Sequence, residues 1–420
     1  MKGTRKDSQV SRREFLTGAG ALAGLAVFGV GGPCQVSAAQ QAPTWPCPCS
    51  CPCCGESFST WEAMAEHLAT EHLRKLPPIE QISEPSYYPF VVGSVARFDQ
   101  KNEVFSRALW DEEYKAELAA VAPRPRNETQ AEILEGAALM MGGIWVDMKA
   151  GTLHPKYTGF DGHVPGYGGL YGWDDAVGER QYAVSDPAQM SERIKYVARF
   201  YGASLVGICR IDRRWVYSRY YNKQDLISGE LELPYKYAIV MGIEMDWQEI
   251  ETAPGFGGAA ASTLGYSQMA FVASSLAKYI RLLGYPAVPS GNDTTQSVPL
   301  AIDAGLGQLG RCGLLVSPQF GPRQRLCKVY TDLPLQPDQP IDFGLHAFCL
   351  KCGICARNCP AQAIRQGERT SEPTSISNRT GISRWPVNVT ECYRFWSANG
   401  NPCAVCVAAC PWGWPIRRWL

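Results

Sequence analysis

Apolar positions along the chain fall into runs of two kinds. ASLVGICRI over 203–211, KYAIVMGIEM over 236–245 and RLCKVYTDL over 325–333 are mostly apolar stretches of strand length, the pattern of buried strands. Around them, longer segments read as helices. Asp186 is placed to cap a helix with Pro187 at its first position, running to about Tyr201. Ser262 or Thr263 opens another through Leu283, with Gly284 as its terminator. Residues 127–148 read as a helix ending in Gly142 and Gly143, and Thr60 to about Arg74 as a shorter one. Helices alternating with buried strands predict an α/β sandwich or sheet.

The interruptions carry information too. Pro77, Pro78, Pro85 and Pro89 mark a linker. Residues 151–180 are rich in Gly, Tyr and Trp, which suits a long loop forming a binding wall better than a packed layer. At the N-terminus, Lys2, Arg5, Lys6, Arg12 and Arg13 precede a 16-residue apolar run from Phe15 to Val30. A spanning helix needs about 20 such residues, so the run is short for an anchor. Ser37 and Ala39 follow at cleavage-site spacing, and SRREFL resembles a twin-arginine export signal. That route moves proteins already folded and suits a cofactor inserted before export.

Composition narrows the function. Of 420 residues, 45% are hydrophobic and 19% charged, so a sizeable core is expected. Lys plus Arg number 40 and Asp plus Glu number 40, and this neutrality argues against a nucleic-acid partner. Seventeen cysteines are too many for ordinary packing, and they cluster.

CLKCGICARNCP carries Cys349, Cys352, Cys355 and Cys359 before Pro360, which is C-x2-C-x2-C-x3-C-P, the bacterial ferredoxin run. Two-residue gaps let three thiolates converge on one iron–sulfur cube, while the fourth is carried to a neighbouring one. CAVCVAACP follows with Cys403, Cys406 and Cys410, and Cys392 can supply its missing first ligand. The partition expected is Cys349, Cys352, Cys355 and Cys410 on one [4Fe–4S] cluster and Cys359, Cys392, Cys403 and Cys406 on the other. Lys351, Arg357 and Arg394 are sensible cations beside such negative clusters. Two clusters make an electron wire without saying what the electrons are for.

The segment TLGYSQMAFVASSLAKYIRLLGYPAVPSGNDTTQSVPLAIDAGLGQLGRCGLLVSPQFGPRQRLCKVYTDLPL supplies that. With the export signal and paired cysteine runs, it resembles the respiratory reductive dehalogenases, from about residue 85 to the end. The resemblance implies an α/β (α+β) fold, with a nitroreductase-like corrinoid-binding core and a C-terminal two-cluster bacterial ferredoxin-like domain. It implies a base-off, cobalamin-type corrinoid, reductive removal of halide from a small organohalide, a membrane-integral anchor subunit and an upstream membrane electron donor. The division expected is 1–39 signal, 40–80 finger-like segment and linker, 81–345 corrinoid-binding catalytic domain and 346–420 two-cluster domain. The enzyme would work at the outer face of the cytoplasmic membrane, peripherally attached.

Tyr266 matches the family's proton-donating tyrosine, and Asn292 and Arg325 its polar neighbours. Tyr266 would lie in the first turn of its helix, where the dipole and the Arg325 guanidinium favour phenolate. Gly255, Gly257, Gly258, Gly291, Gly305, Gly307 and Gly310 would let backbone approach a flat macrocycle. Trp396, Tyr171 and Trp173 are candidates for the substrate wall, with ordinary core roles left open. Cys209, Cys312 and Cys327 lie in apolar contexts and read as core.

Two further patterns stand apart. DGHVPG matches the D-x-H-x-x-G of another corrinoid class, but it lies in a Gly/Pro-rich loop without the accompanying motifs, so His163 is set aside as a cobalt ligand. Cys51, Cys54, His67 and His72 fit C-x2-C-x12-H-x4-H, with Phe58 and Met64 at the two apolar core positions of a zinc finger. Crowding by Cys47, Cys49 and Cys53 leaves another metal or disulfides open. Glu56, Glu62, Glu66 and Glu71 argue against DNA binding by this segment. Competing readings are an epoxyqueuosine-type reductase acting on tRNA, disfavoured by the signal and the neutral charge, and a two-cluster electron carrier, disfavoured by the large α/β domain.

Overall fold

The computed structural model describes residues 49–51, 54, 56–59, 61–73, 79–82, 90–149, 169–173, 175–223 and 226–415. The export signal, Cys47, Cys53, His163 and the side chains of Cys49 and His72 lie outside the described residues. A short hairpin, β1 (Cys49–Ser50) with β2 (Ser57–Phe58), leads into helix α1 (Trp61–His67). The main body is built on α2 (Gln130–Lys149), α3 (Pro187–Phe200), β3 (Leu205–Arg210), β4 (Tyr237–Glu244) and α4 (Phe256–Leu282). It continues through β5 (Ala287–Ser290), α5 (Ser297–Asp303) and β6 (Gln324–Thr331). The C-terminal module carries α6 (Leu345–Cys352) and α7 (Val389–Asn399).

Four strands form an antiparallel sheet in the order β3-β4-β6-β5. Alternation along β4 divides the core. Ile239, Met241 and Ile243 face one side with Ile194 of α3 and Met269, Leu276 and Ile280 of α4. Ala238 and Val240 face the other, with Leu300 and Ile302 of α5 and with Trp215. The three strands read from sequence are present, and Asp186 caps α3 through the amides of Ala188 and Gln189. The edge strand β5 was not predicted, because it is four residues long and contains Pro289, which the ladder tolerates at an edge.

Two helices differ from the expectation for one reason: small residues let helices approach closely. Helix α4 begins at Phe256 rather than at Ser262, and its glycine-rich first turn fits against Ala253 while the amide of Gly258 donates to Thr252 Oγ1 at 3.0 Å. Helix α2 runs past Gly142 and Gly143. A Cβ on Gly143 would stand 2.9 Å from Thr263 Oγ1 of α4, so that glycine sets the α2–α4 distance instead of ending the helix.

Asp303, at the end of α5, is 9% exposed, and its Oδ1 has no hydrogen-bond partner among the described residues. Burial, aided by repulsion from Asp212, pushes its carboxyl up to about 7 from 3.8. The folded state then binds more protons than the unfolded chain between those values, so stability falls as pH rises from about 4 to 7. Asp303→Asn should remove this penalty, raising stability above pH 7 by at most about 4 kcal/mol and changing little near pH 4. Thermal melts of both proteins across that range check it.

Candidate active site

A cavity of about 640 Å³ opens where α4, the loop after β5, the segment around residues 98–105 and α7 meet. Tyr266 lines it, ten residues past Phe256 and therefore beyond the first turn of α4. The expected help from the helix dipole is thus corrected, since that field is felt in the terminal turn. What the structure supplies instead is side-chain contact. Asn292 Nδ2 donates to Tyr266 Oη at 3.1 Å, and the Arg325 guanidinium carbon sits 3.9 Å from the centre of the Tyr266 ring. The three residues named from sequence converge from α4, the loop after β5 and β6.

Gly265 makes the stacking possible. A Cβ there would stand 2.5 Å from Arg325 Cγ. Gly265→Ala should push the guanidinium off the ring and cost roughly tenfold in turnover, the scale of about 1.4 kcal/mol in a transition state. Steady-state halide release checks this, with unchanged iron content as the control.

The cavity also collects charge that the linear sequence did not reveal. Lys223 Nζ lies 3.1 Å from Glu103 Oε2, and the pair lines the cavity with Asp293 and Asp147. Burial opposes the Lys223 charge, but Glu103 and Asp293 outweigh it and hold the ammonium above its ordinary range, with Tyr266 also in its field. Burial raises Asp293 against the pull of Lys223 and Lys328, and Gln100 Nε2 donates to its Oδ1 at 2.9 Å. Asp147 is pushed up to about 6 by burial and by Asp293. Lys328 is completely buried in β6, where desolvation lowers it to about 8. It donates to the Gly291 carbonyl and to Ser297 Oγ, fixing the loop that presents Asn292. These residues are scattered over more than 200 positions, and only the fold brings them together.

Of the seven glycines expected against a macrocycle, Gly291 lines the cavity. At the others a Cβ would meet the chain's own atoms. Gly255 caps α4, Gly257 is crowded by Glu249 and Thr252, and Gly258 by Ala253. Gly305 has φ of 73° and abuts the Gln339 carbonyl, while Gly307 and Gly310 abut Val316. Trp396 and Tyr171 stand in the cavity wall, whereas Trp173 packs on the core beneath the sheet because its ring faces that apolar layer.

The eight cysteines of the two runs are brought close together. Cys410 lies in the field of Cys349, Cys352 and Cys355, and Cys392 and Cys403 each in that of Cys359. Cys406 faces Cys392 and Cys403 and also Cys355, so the two sets abut. Burial, with neighbouring thiols adding to it, pushes Cys355, Cys406 and Cys410 up, Cys392 to about 12 and Cys403 to about 11. Thiols so placed ionise only if a positive centre takes their charge. Among the described residues, no three of them bring their sulfurs as close together as a single tetrahedral ion needs, about 3.8 Å. The sets therefore fit a larger inorganic core, as a cube of iron and sulfide provides. Cys312 lies beside both sets, 6% exposed and pushed up to about 12 mainly by burial, and Cys209 and Cys327 are core residues as read.

The cation beside the first set is one the sequence reading missed. Lys351 and Arg357 are exposed, and Arg394 pairs with Glu391 at 3.1 Å. Arg311 is 4% exposed and directs its guanidinium to the carbonyls of Cys349, Leu350, Arg365 and Gly367. With its donors on main-chain oxygens, its charge is available to a negative cluster.

Comparison with known proteins agrees with this geometry. Residues 348–413 match the 4Fe-4S double cluster binding domain. The tetrachloroethene reductive dehalogenase of Sulfurospirillum multivorans is 31% identical across 97% of this chain and 85% of its own length. The chain belongs to the reductive dehalogenases. The tetrachloroethene reductive dehalogenase of Dehalobacter restrictus is 38% identical over 60% of this chain and 54% of its own. Among solved structures, the catabolic reductive dehalogenase NpRdhA in complex with 3-bromo-4-hydroxybenzoic acid superposes with a TM-score of 0.59 at 27% identity, over 80% of this chain and 44% of that one. A further reductive dehalogenase structure, described as suggesting a mechanism for B12-dependent dehalogenation, gives 0.59 at 26% identity, over 81% and 45%. The dehalogenase described here thus spans about half the length of several relatives it matches.

A corrinoid fits the residues present. The cavity is walled by aromatic side chains, and among the described residues Tyr171 Oη and Trp396 Nε1 in that wall are buried without hydrogen-bond partners. Buried donors left unpaired are costly, and a ligand rich in amide oxygens would satisfy them.

Proposed function

We propose that this dehalogenase reduces a small apolar organohalide, a chlorinated ethene or ethane, at a base-off corrinoid held in the cavity and fed by two [4Fe–4S] clusters. The observation that carries the reading is the phenol of Tyr266 in the cavity wall, held by Asn292 and stacked under Arg325. When bound, the corrinoid supplies the low-potential cobalt through which electrons from the clusters reach the carbon–halogen bond.

The chain's own residues do the rest. Tyr266 holds the proton that the dehalogenated carbon receives. Arg325 and Lys223 are the cations that stabilise its phenolate afterwards, and the Asn292 amide keeps the oxygen aimed into the cavity. Phe98, Phe105, Tyr221 and Trp396 supply flat apolar surface that favours a small uncharged substrate and excludes water.

Release of halide with a reduced viologen as donor tests the reading. Chloride release from chlorinated ethenes or ethanes is expected. Release confined to halogenated phenols and benzoates would overturn the substrate class. We place the enzyme at the outer face of the cytoplasmic membrane, bound to a membrane-integral anchor and supplied by a membrane electron donor. SRREFL, the apolar run after it and the family resemblance support this placement. Among the described residues, no helix is long and apolar enough to cross a membrane.

A further inference from the structure

The segment ahead of the catalytic domain has a chemistry that dehalogenation does not use. The β1–β2 hairpin pairs Cys49 with Phe58 and Ser50 with Ser57, and the Cys51 amide closes the turn on the Glu56 carbonyl at 2.6 Å. Helix α1 follows and continues as a wider helical turn over Leu68–Leu73. Cys51 and Cys54 lie on the turn, and His67 on the helix that folds back over it. Their ligand atoms all lie within 4.8 Å of one another, the one such group among the described residues. Cys54 Sγ is 3.3 Å from His67 Nε2. In a tetrahedral zinc site, with bonds of about 2.3 Å to sulfur and 2.0–2.1 Å to nitrogen, that edge measures roughly 3.5 Å.

The surroundings agree. The other ring nitrogen of His67 faces Glu56 Oε2 at 3.5 Å, the carboxylate–histidine arrangement that orients a metal-bound imidazole. Met64 is 1% exposed and the Phe58 ring stacks 4.8 Å from His67, so a small core supports the ligands. Cys51 and Leu68 are buried in the same apolar cluster as Phe348, Cys349 and Trp412. The finger is therefore seated on the flank of the iron–sulfur module.

We propose that Cys51, Cys54 and His67 hold a structural zinc ion, with the fourth ligand drawn from the same helical run, where the spacing points to His72. The ion fastens the hairpin to the helix and the finger to the cluster module. Two thiolates with imidazole suit zinc, whereas carboxylate-bound metals are disfavoured.

The test uses the full chain with its clusters and corrinoid, purified without oxygen and dialysed against buffer treated to remove free metal. Plasma mass spectrometry should find about one zinc per chain, and zinc X-ray absorption should find a shell of two sulfurs with nitrogen. Cys54→Ser and His67→Ala should each lower zinc at least about tenfold with iron unchanged. Should a variant lose iron as well, the wild-type shell decides. The proposal is overturned by wild-type protein with less than about a tenth of a zinc per chain. A sulfur-free shell, iron in that position, a Cys51–Cys54 disulfide, or zinc retained in both variants would overturn it equally. None of these readouts depends on halide release, so failure here leaves the dehalogenase reading standing.

Discussion

Tyr266→Phe is expected to lower turnover by about 10²–10⁴-fold, the usual contribution of a positioned general acid. The change deletes one oxygen. The ring remains under Arg325, and Asn292 loses an acceptor but stays at the cavity, where water can replace it. Iron content, corrinoid absorbance and melting temperature should therefore match the wild type while halide release collapses. Loss confined to kcat would place the defect in chemistry rather than in substrate binding. Turnover within a few-fold of wild type would remove the phenol from the reaction.

The second large effect concerns the exchanged ligands. Cys410 belongs to the second cysteine run in sequence but stands with Cys349, Cys352 and Cys355 in space. Cys410→Ser should lower iron from about eight toward about four per chain and abolish halide release, because a wire with one cluster missing does not carry electrons. The partition predicts how a second change behaves. Cys352→Ser added to Cys410→Ser should cost no further iron, since both ligands serve one cluster. Cys392→Ser added to Cys410→Ser should remove the remaining iron. The reverse pattern would mean that each run keeps its own four cysteines. Iron and sulfide analysis, with electron paramagnetic resonance of the reduced protein, separates the two outcomes.

Much of this molecule was legible in the chain because its chemistry is local. Ferredoxin spacing is a property of turns, so seven candidate ligands stand out in two short runs, with Cys392 as the eighth. The strands were legible because burial on both faces leaves a mostly apolar signature. What sequence hid is of a different kind. Lys223, Glu103, Asp293 and Lys328 are ordinary charged residues in sequence, and their role exists only once the fold has removed water around them. Gly143 and Gly265 are unremarkable until the helix or guanidinium that needs the missing Cβ is in place. The first-turn position of Tyr266 was misread because Gly257 and Gly258 have poor helix propensity, which packing against Ala253 overrides.

Arg323 is almost wholly buried where the two halves of the protein touch. It pairs with Glu244 at the end of β4 at 2.9 Å, and it donates to the carbonyls of Met245 and of Gly413, just beyond the last cluster cysteine. Close by, Gly321 brings its backbone against Trp412 and Gly413 with no room for a side chain. A soluble ferredoxin must find its acceptor by diffusion before each electron passes. Here that encounter has been made permanent, so the final internal transfer should be indifferent to solvent viscosity, and any waiting in the cycle falls on reduction from outside or on the departure of products.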